Sequence, residues 1–250
     1  MQIHFWGTRG SLPSSITAGM IEKKIFSALK MSRSHSLDTD EAVMAFVREE
    51  LPFRVRGSFG GNTACVEIKG HKEYVLCDAG TGLRDFGDAF LKSNPPERSA
   101  APSVFHIFIS HPHWDHIQGF PFFTPAYIPG NRIHIYGGHD RLEEAFVRQQ
   151  ESPSFPVPFK AMSADIVFHS LTDGQEYGIA DLQVKAIRQN HPGDSYGYRF
   201  EKDGKSVVYS TDAEHKEDTG AATDRFLSFF SGADLLIFDA QYRFLDAIGV

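Results

Sequence analysis

A chain of 250 residues, 41% hydrophobic and 23% charged, is long enough to bury a sizeable core without disulfide staples. Its formal net charge of -7 argues against a broad basic face that grips nucleic acid by charge alone, though local basic patches stay open. No stretch approaches the roughly 20 apolar residues of a membrane span. The opening MQIHFWGTRGS has no basic segment followed by an apolar one, so no leader and no membrane partner are expected. The two cysteines, Cys65 and Cys77, sit in apolar strand-like runs and read as buried free thiols of a reducing compartment, the cytoplasm.

In chain order, QIHFWG (2–7), TACVEIK (63–69) and EYVLCDA (73–79) show the alternation and the β-branched or aromatic content of strands. GHK between the second and third reads as a hairpin turn at Gly70. TGLRDFGDAFLKS has helical spacing, and NPPERSAAP stops it. VFHIFIS (104–110) is a continuous apolar strand of the kind covered on both faces. HWDHIQGFPFF starts a short helix limited by Pro121, RIHIYG (132–137) is a further strand, and a helix follows at 140–150. Later come DIVFHSL, LQVKAIRQN, a hairpin in RFEKDGKSVVY turning at Asp203-Gly204, a helix near 221–231, and DLLIFDA. Hairpins mixed with strand–helix steps predict stacked sheets with helices outside, an α/β sandwich. Residues 14–57 look inserted, with two amphipathic helical segments, the second capped by Asp38 or Asp40. That segment reads as a lid, an oligomer contact or a plain surface hairpin.

The chemistry concentrates in FISHPHWDHIQGF, which puts His111, His113, Asp115 and His116 within six residues at a strand-to-helix junction. Residues two apart in extended chain point the same way, so His111 and His113 can converge on one ion. Asp115 and His116 follow where the chain turns and can face a second ion beside it. Imidazole nitrogen and carboxylate oxygen suit zinc, and also manganese or iron. The other histidines, His4, His35, His71, His106 and His169 among them, read as satisfied core or surface residues.

The pattern H-x-H-x-D-H resembles the second motif of the metallo-β-lactamase fold superfamily. LCDAGTGL resembles the first motif, RQNHPGDSYGYRF the third and VVYSTDAE the fourth, in the family's order. FWGTRGSLP and FGGNTACVEI resemble the phosphodiesterase-like branch, related to tRNA 3′-processing endonucleases and cyclic-nucleotide phosphodiesterases. The resemblance implies a four-layer αββα sandwich, one domain over 1–250 with an incomplete C-terminal part. It implies that His111, His113 and His191 hold one divalent ion, that Asp115 and His116 hold a second, and that Asp212 bridges the two. Asp78 would orient the ligand loop without ligating, and Asp115 and Asp212 would act in catalysis. A metal-activated hydroxide would attack phosphorus. In Gly60, Gly61, Asn62 and Thr63, turn chemistry and a loop or substrate contact stay open.

A fifth motif, a histidine completing the second ion, is not found: the last 35 residues contain no histidine. A shortened chain with an incomplete second site is one reading. Substitution by His215, His139, Asp239 or a neighbouring subunit's histidine is another. The expected function is a metal-dependent phosphodiesterase acting on a small phosphodiester or nucleotide, with RNA ranked behind. A lactone, thioester or β-lactam hydrolase is the enzymatic alternative, and a sensor module with a decayed second metal site the non-enzymatic one. Apolar surface exposed on the outer sheet would favour a homodimer.

Overall fold

The computed structural model describes residues 1–95, 101–214 and 220–239, the side chains of 221–223 excepted. The chain divides into two compact units, Met1–Leu12 with Asn62–Val250, and Pro13–Gly61.

In the larger unit, a first sheet contains β1 (Gln2–Gly7), β2 (Cys65–Lys69), β3 (Tyr74–Cys77), β4 (Val104–Phe108), β5 (Arg132–Gly137) and β6 (Asp165–Ser170), side by side in chain order. The first three strands pair antiparallel, and β3 to β6 run parallel. The second sheet holds β7 (Glu176–Ile179), β8 (Leu182–Gln189), β9 (Ser195–Lys202), β10 (Lys205–Ser210) and β11 (Leu235–Phe238), in the order β11-β10-β9-β8-β7. Its pairs are antiparallel except β10 with β11. The β9–β10 hairpin turns at Asp203 and Gly204, both at positive φ (51° and 71°), as a two-residue turn of matching twist requires.

Burial explains the layers. Helices α4 (Gly82–Ser93) and α6 (Leu142–Arg148) cover the outer face of the first sheet, where Leu83, Phe86, Phe90 and Phe146 join Phe105, Ile107, Ile133 and Ile135 in one cluster. Full burial of each such phenylalanine contributes roughly 2–3 kcal/mol. Between the sheets, Val66, Ile68, Val75, Phe108 and Tyr136 meet Val184, Ala186, Tyr198, Phe200 and Tyr209. On the far face of the second sheet, Phe229 of α7 (Ala221–Phe230) packs with Ile187 and Val208. Helix, sheet, sheet and helix make the expected four-layer sandwich. The continuous apolar run of β4 reflects its position, since Phe105 and Ile107 face the helices and Phe108 faces the second sheet. Cys65 and Cys77 are free and buried, one in the helix-side cluster and the other in the inter-sheet cluster. Burial raises both thiols well above their usual range.

The smaller unit takes in the 14–57 segment. It comprises α1 (Ala18–Ser32), α2 (Asp40–Ala45) running into a π-helical turn at Phe46–Glu50, and α3 (Phe53–Arg56). Lys24 Nζ reaches the carbonyl of Gly57 at 2.6 Å, tying α1 to the end of α3. The expected cap at Asp38 or Asp40 is corrected: Thr39, in extended conformation, is the N-cap of α2, and its hydroxyl accepts from Ala42 N at 3.2 Å. Strand β7 and helix α3 are short additions that the sequence patterns did not separate from loop.

Candidate metal centre

The strand ends of both sheets bring the motif residues together. β3 ends at Cys77, and Asp78 follows at φ +60°, its N–H donating to Phe108 O at 2.8 Å. β4 ends at Phe108, and the chain runs through Ser110 to His113 before α5 (Trp114–Ile117). From the second sheet, His191 follows β8, and Asp212 follows β10 at φ +48°. Two glycines let the first two loops touch. Ala79 N donates to His116 O at 2.8 Å and Gly119 N to Ala79 O at 2.9 Å. A Cβ on Gly119 would lie 1.9 Å from Gly80 O, so only glycine fits this crossing.

Among the described residues two groups offer three ligand atoms within 4.8 Å: His111, His113 and His191, and His111, His116 and Asp212. In the first, His111 Nε2 lies 2.8 Å from His113 Nδ1, which lies 3.2 Å from His191 Nε2. Tetrahedral zinc at about 2.05 Å from each nitrogen separates two ligands by about 3.3 Å, close to these spacings. Burial, then the neighbouring His116, His113 and His191, holds the His111 imidazole far below its usual range, and burial followed by His191 lowers His113. Neutral imidazoles facing one another are the state a divalent ion requires. The donor set therefore fits a metal.

In the second group His116 Nε2 stands 2.9 Å from Asp212 Oδ2 and 3.5 Å from Asp115 Oδ2. Burial, which alone lowers His116, is outweighed by Asp78 and Asp212, and its pKa is raised to about 10. Burial also acts to raise Asp212, and the hydrogen bond from His116 outweighs it and lowers that carboxyl. Two carboxylates thus hold a positive charge at His116, a place that either a proton or a metal fills. Asp115 stands beside this group, and its Oδ2 accepts from Ser11 N at 2.7 Å.

Asp78 lies where an orienting residue belongs. Fully buried, it accepts from Ser110 N (2.7 Å) and Ser110 Oγ (2.8 Å), and its Oδ2 also takes Tyr209 OH (2.6 Å) and His116 Nδ1 (2.7 Å). The last bond fixes the orientation of the His116 ring, with Nε2 turned to Asp212. Asn62 and Thr63 knit loops together: Thr63 N donates to Thr81 Oγ1 at 2.9 Å, Thr81 N to Thr63 Oγ1 at 2.8 Å, and the Asn62 amide to Asp85 Oδ2 at 2.5 Å. Of the substitutes considered for a fifth ligand, His139 and Asp239 join neither donor group, and His139 Nε2 bonds Asp194 O at 3.1 Å. His215 lies outside the described residues. Sequence reasoning missed Ser11, Ser110 and Tyr209, whose roles are those of hydrogen-bond donors to the two acids.

A family model described as the beta-lactamase superfamily domain matches residues 73–247. The chain is 25% identical over 167 residues to a ribonuclease Z of Haloarcula marismortui, covering 62% of this chain and 47% of that protein. It is 28% identical over 169 residues to an uncharacterised protein of Mycobacterium leprae, covering 63% and 54%. It thus spans about half the length of these two curated relatives. A nuclear ribonuclease Z of Triticum aestivum is 27% identical over 157 residues, with 61% and 77% covered. Among solved structures, the short form of human tRNase Z superposes with a TM-score of 0.51 at 19% identity, over 94% of this chain and 76% of that one, a likeness of fold.

Proposed function

This chain belongs to the beta-lactamase superfamily, and from that premise we propose that it is a metal-dependent hydrolase that cleaves a small phosphodiester or nucleotide. The observation that carries the reading is the convergence of four histidines and Asp212 at the strand ends, with Asp115 beside them. His111, His113 and His191 would hold one divalent ion, zinc by donor type. His116 and Asp212, with Asp115 alongside, would hold a second. When bound, such ions supply Lewis acidity and a water acidified to near-neutral pH.

The remaining steps belong to the chain. Asp78 holds His116 through Nδ1 and holds the strand end through Ser110, so the donors keep their geometry as substrate enters. Ser11 N fixes Oδ2 of Asp115 beside His116, where this carboxylate would orient the attacking water. His111 is buried while His113 is exposed, so substrate approaches from the His113 side. The GTRGS and GGNT segments, together with relatives named as ribonucleases, support phosphorus over a carbonyl as the centre attacked. No helix among the described residues is long and apolar enough to cross a membrane.

Metal-stripped protein reconstituted with zinc or manganese is expected to cleave bis(p-nitrophenyl) phosphate or a cyclic nucleotide. Turnover of lactones, thioesters or β-lactams alone would move the reading to carbonyl chemistry, and no turnover of any of them would overturn it.

A further inference from the structure

We propose that Trp114 is a stacking platform for a nucleobase, so that the phosphodiester taken at this centre is a nucleotide derivative; the inference rests on the hydrolase reading above.

Trp114 stands between His113 and Asp115, and consecutive Cα atoms are about 3.8 Å apart. The chain here passes from the interior to the surface. His111 is 1% exposed, His113 is exposed, and Trp114 is 63% exposed. The indole is therefore exposed on the same stretch of chain that carries the donors. Of the aromatic residues just downstream, Phe120 and Phe123 are fully buried in the core, and the exposed Phe122 packs edge-on to Phe155 at 5.5 Å. The other tryptophan is also satisfied: Trp6 donates Nε1–H to Glu67 Oε2 at 2.9 Å and packs edge-on to Phe86 at 5.7 Å. Trp114 makes no ring contact with the described residues within the aromatic pairs of the structure.

Its backbone is nonetheless held firmly. His116 O accepts from Ala79 N, Trp114 O accepts from Gln118 N at 2.7 Å, and the buried Gln118 amide reaches Thr63 Oγ1 at 3.3 Å. A large apolar ring with two side-chain torsions, on a fixed backbone beside a polar centre, offers a flat surface at modest ordering cost on binding. Every nucleobase has a π-face that such a ring can take, and a ribose links that base to the phosphate. Polar donors for the phosphate and an aromatic face for the base thus lie one residue apart.

The chain has two tryptophans, so fluorescence isolates the residue. Adenosine 5′-monophosphate titrated into the protein is expected to quench emission saturably, and Trp114→Phe, which retains Trp6, is expected to lose that quenching. In turnover, the kcat/KM ratio of thymidine 5′-(p-nitrophenyl phosphate) to methyl p-nitrophenyl phosphate is expected to fall roughly tenfold in Trp114→Ala, and less in Trp114→Phe. The two esters share a leaving group, so the ratio reads the nucleoside alone. No quenching of the wild type, quenching that survives in Trp114→Phe, or a ratio equal in wild type and Trp114→Ala would overturn the proposal. Failure of every protein to cleave either ester would count against the hydrolase reading instead, and the fluorescence titration would still decide the fate of Trp114.

Discussion

Histidines gather at two places on the first sheet, and the two gatherings differ in what surrounds them. Across the middle of β4, β5 and β6, His106, His134 and His169 line one face. There His106 bonds Glu73 (2.7 Å) and Tyr136 OH (2.9 Å), and His134 Nδ1 bonds His169 Nε2 at 2.8 Å. At the strand ends, His111 and His113 show the same 2.8 Å nitrogen contact. The difference lies in what else arrives. Only the strand-end histidines, among the described residues, belong to groups of three donors within 4.8 Å. Loops from the second sheet deliver His191 and Asp212 there, while a sheet face offers a histidine only its cross-strand neighbours. What sets the strand ends apart is thus the convergence of donors from separate loops rather than histidine content.

The sharpest way to break this comparison is to remove a donor from each place. Asp212→Ala or His116→Ala is expected to lower turnover by more than the roughly 10- to 100-fold typical of losing a group that only positions a ligand. His134→Ala is expected to leave metal content, measured by mass spectrometry, unchanged. A similar loss of metal in both would erase the distinction.

Next in size is Asp78→Ala. It strands the buried His116, Ser110 and Tyr209 donors, and the expected cost is about 3–5 kcal/mol in denaturant unfolding. Full stability in that variant would mean the network is not what holds the strand ends. Gly119→Ala should cost less, roughly 1–3 kcal/mol, because the loops must separate to admit a Cβ at 1.9 Å from Gly80 O.

The smallest effect concerns pH. Burial first, then neighbouring imidazoles, lowers His134 and His169 below the usual histidine range. Between that lowered value and about 6.5 the unfolded chain binds more protons, so the pair weakens the fold as pH falls below about 6.5. His116 works the other way in metal-free protein. Its pKa of about 10 gives stability that is complete below about 6.5 and lost as pH rises toward 10. The Tm of His169→Ala should therefore fall less than that of wild type between pH 7 and pH 5, and an identical slope would place the cause elsewhere.

The sequence made much of this legible, for physical reasons that differ by residue. His111, His113, Asp115 and His116 are close in the chain, so spacing alone suggested their convergence. His191 and Asp212 come from the second sheet, and only their resemblance to ordered motifs pointed to them. Ser11 acts through its backbone N–H, which carries no side-chain signal. Tyr209 alternates like any core aromatic, and its hydroxyl bond to Asp78 depends on how the sheets stack. Thr39 outcompeted Asp38 and Asp40 as a cap because backbone angles, not residue type, choose among adjacent oxygens. The four residues of β7 are too few for alternation to register.

The decisive measurement is a zinc titration of metal-stripped protein with bis(p-nitrophenyl) phosphate as substrate. Turnover should rise from baseline and saturate near two ions per chain, while His111→Ala stays at baseline because His111 belongs to both donor groups. Turnover independent of added zinc or manganese, or undiminished in His111→Ala, would contradict a hydrolytic metal centre at the strand ends.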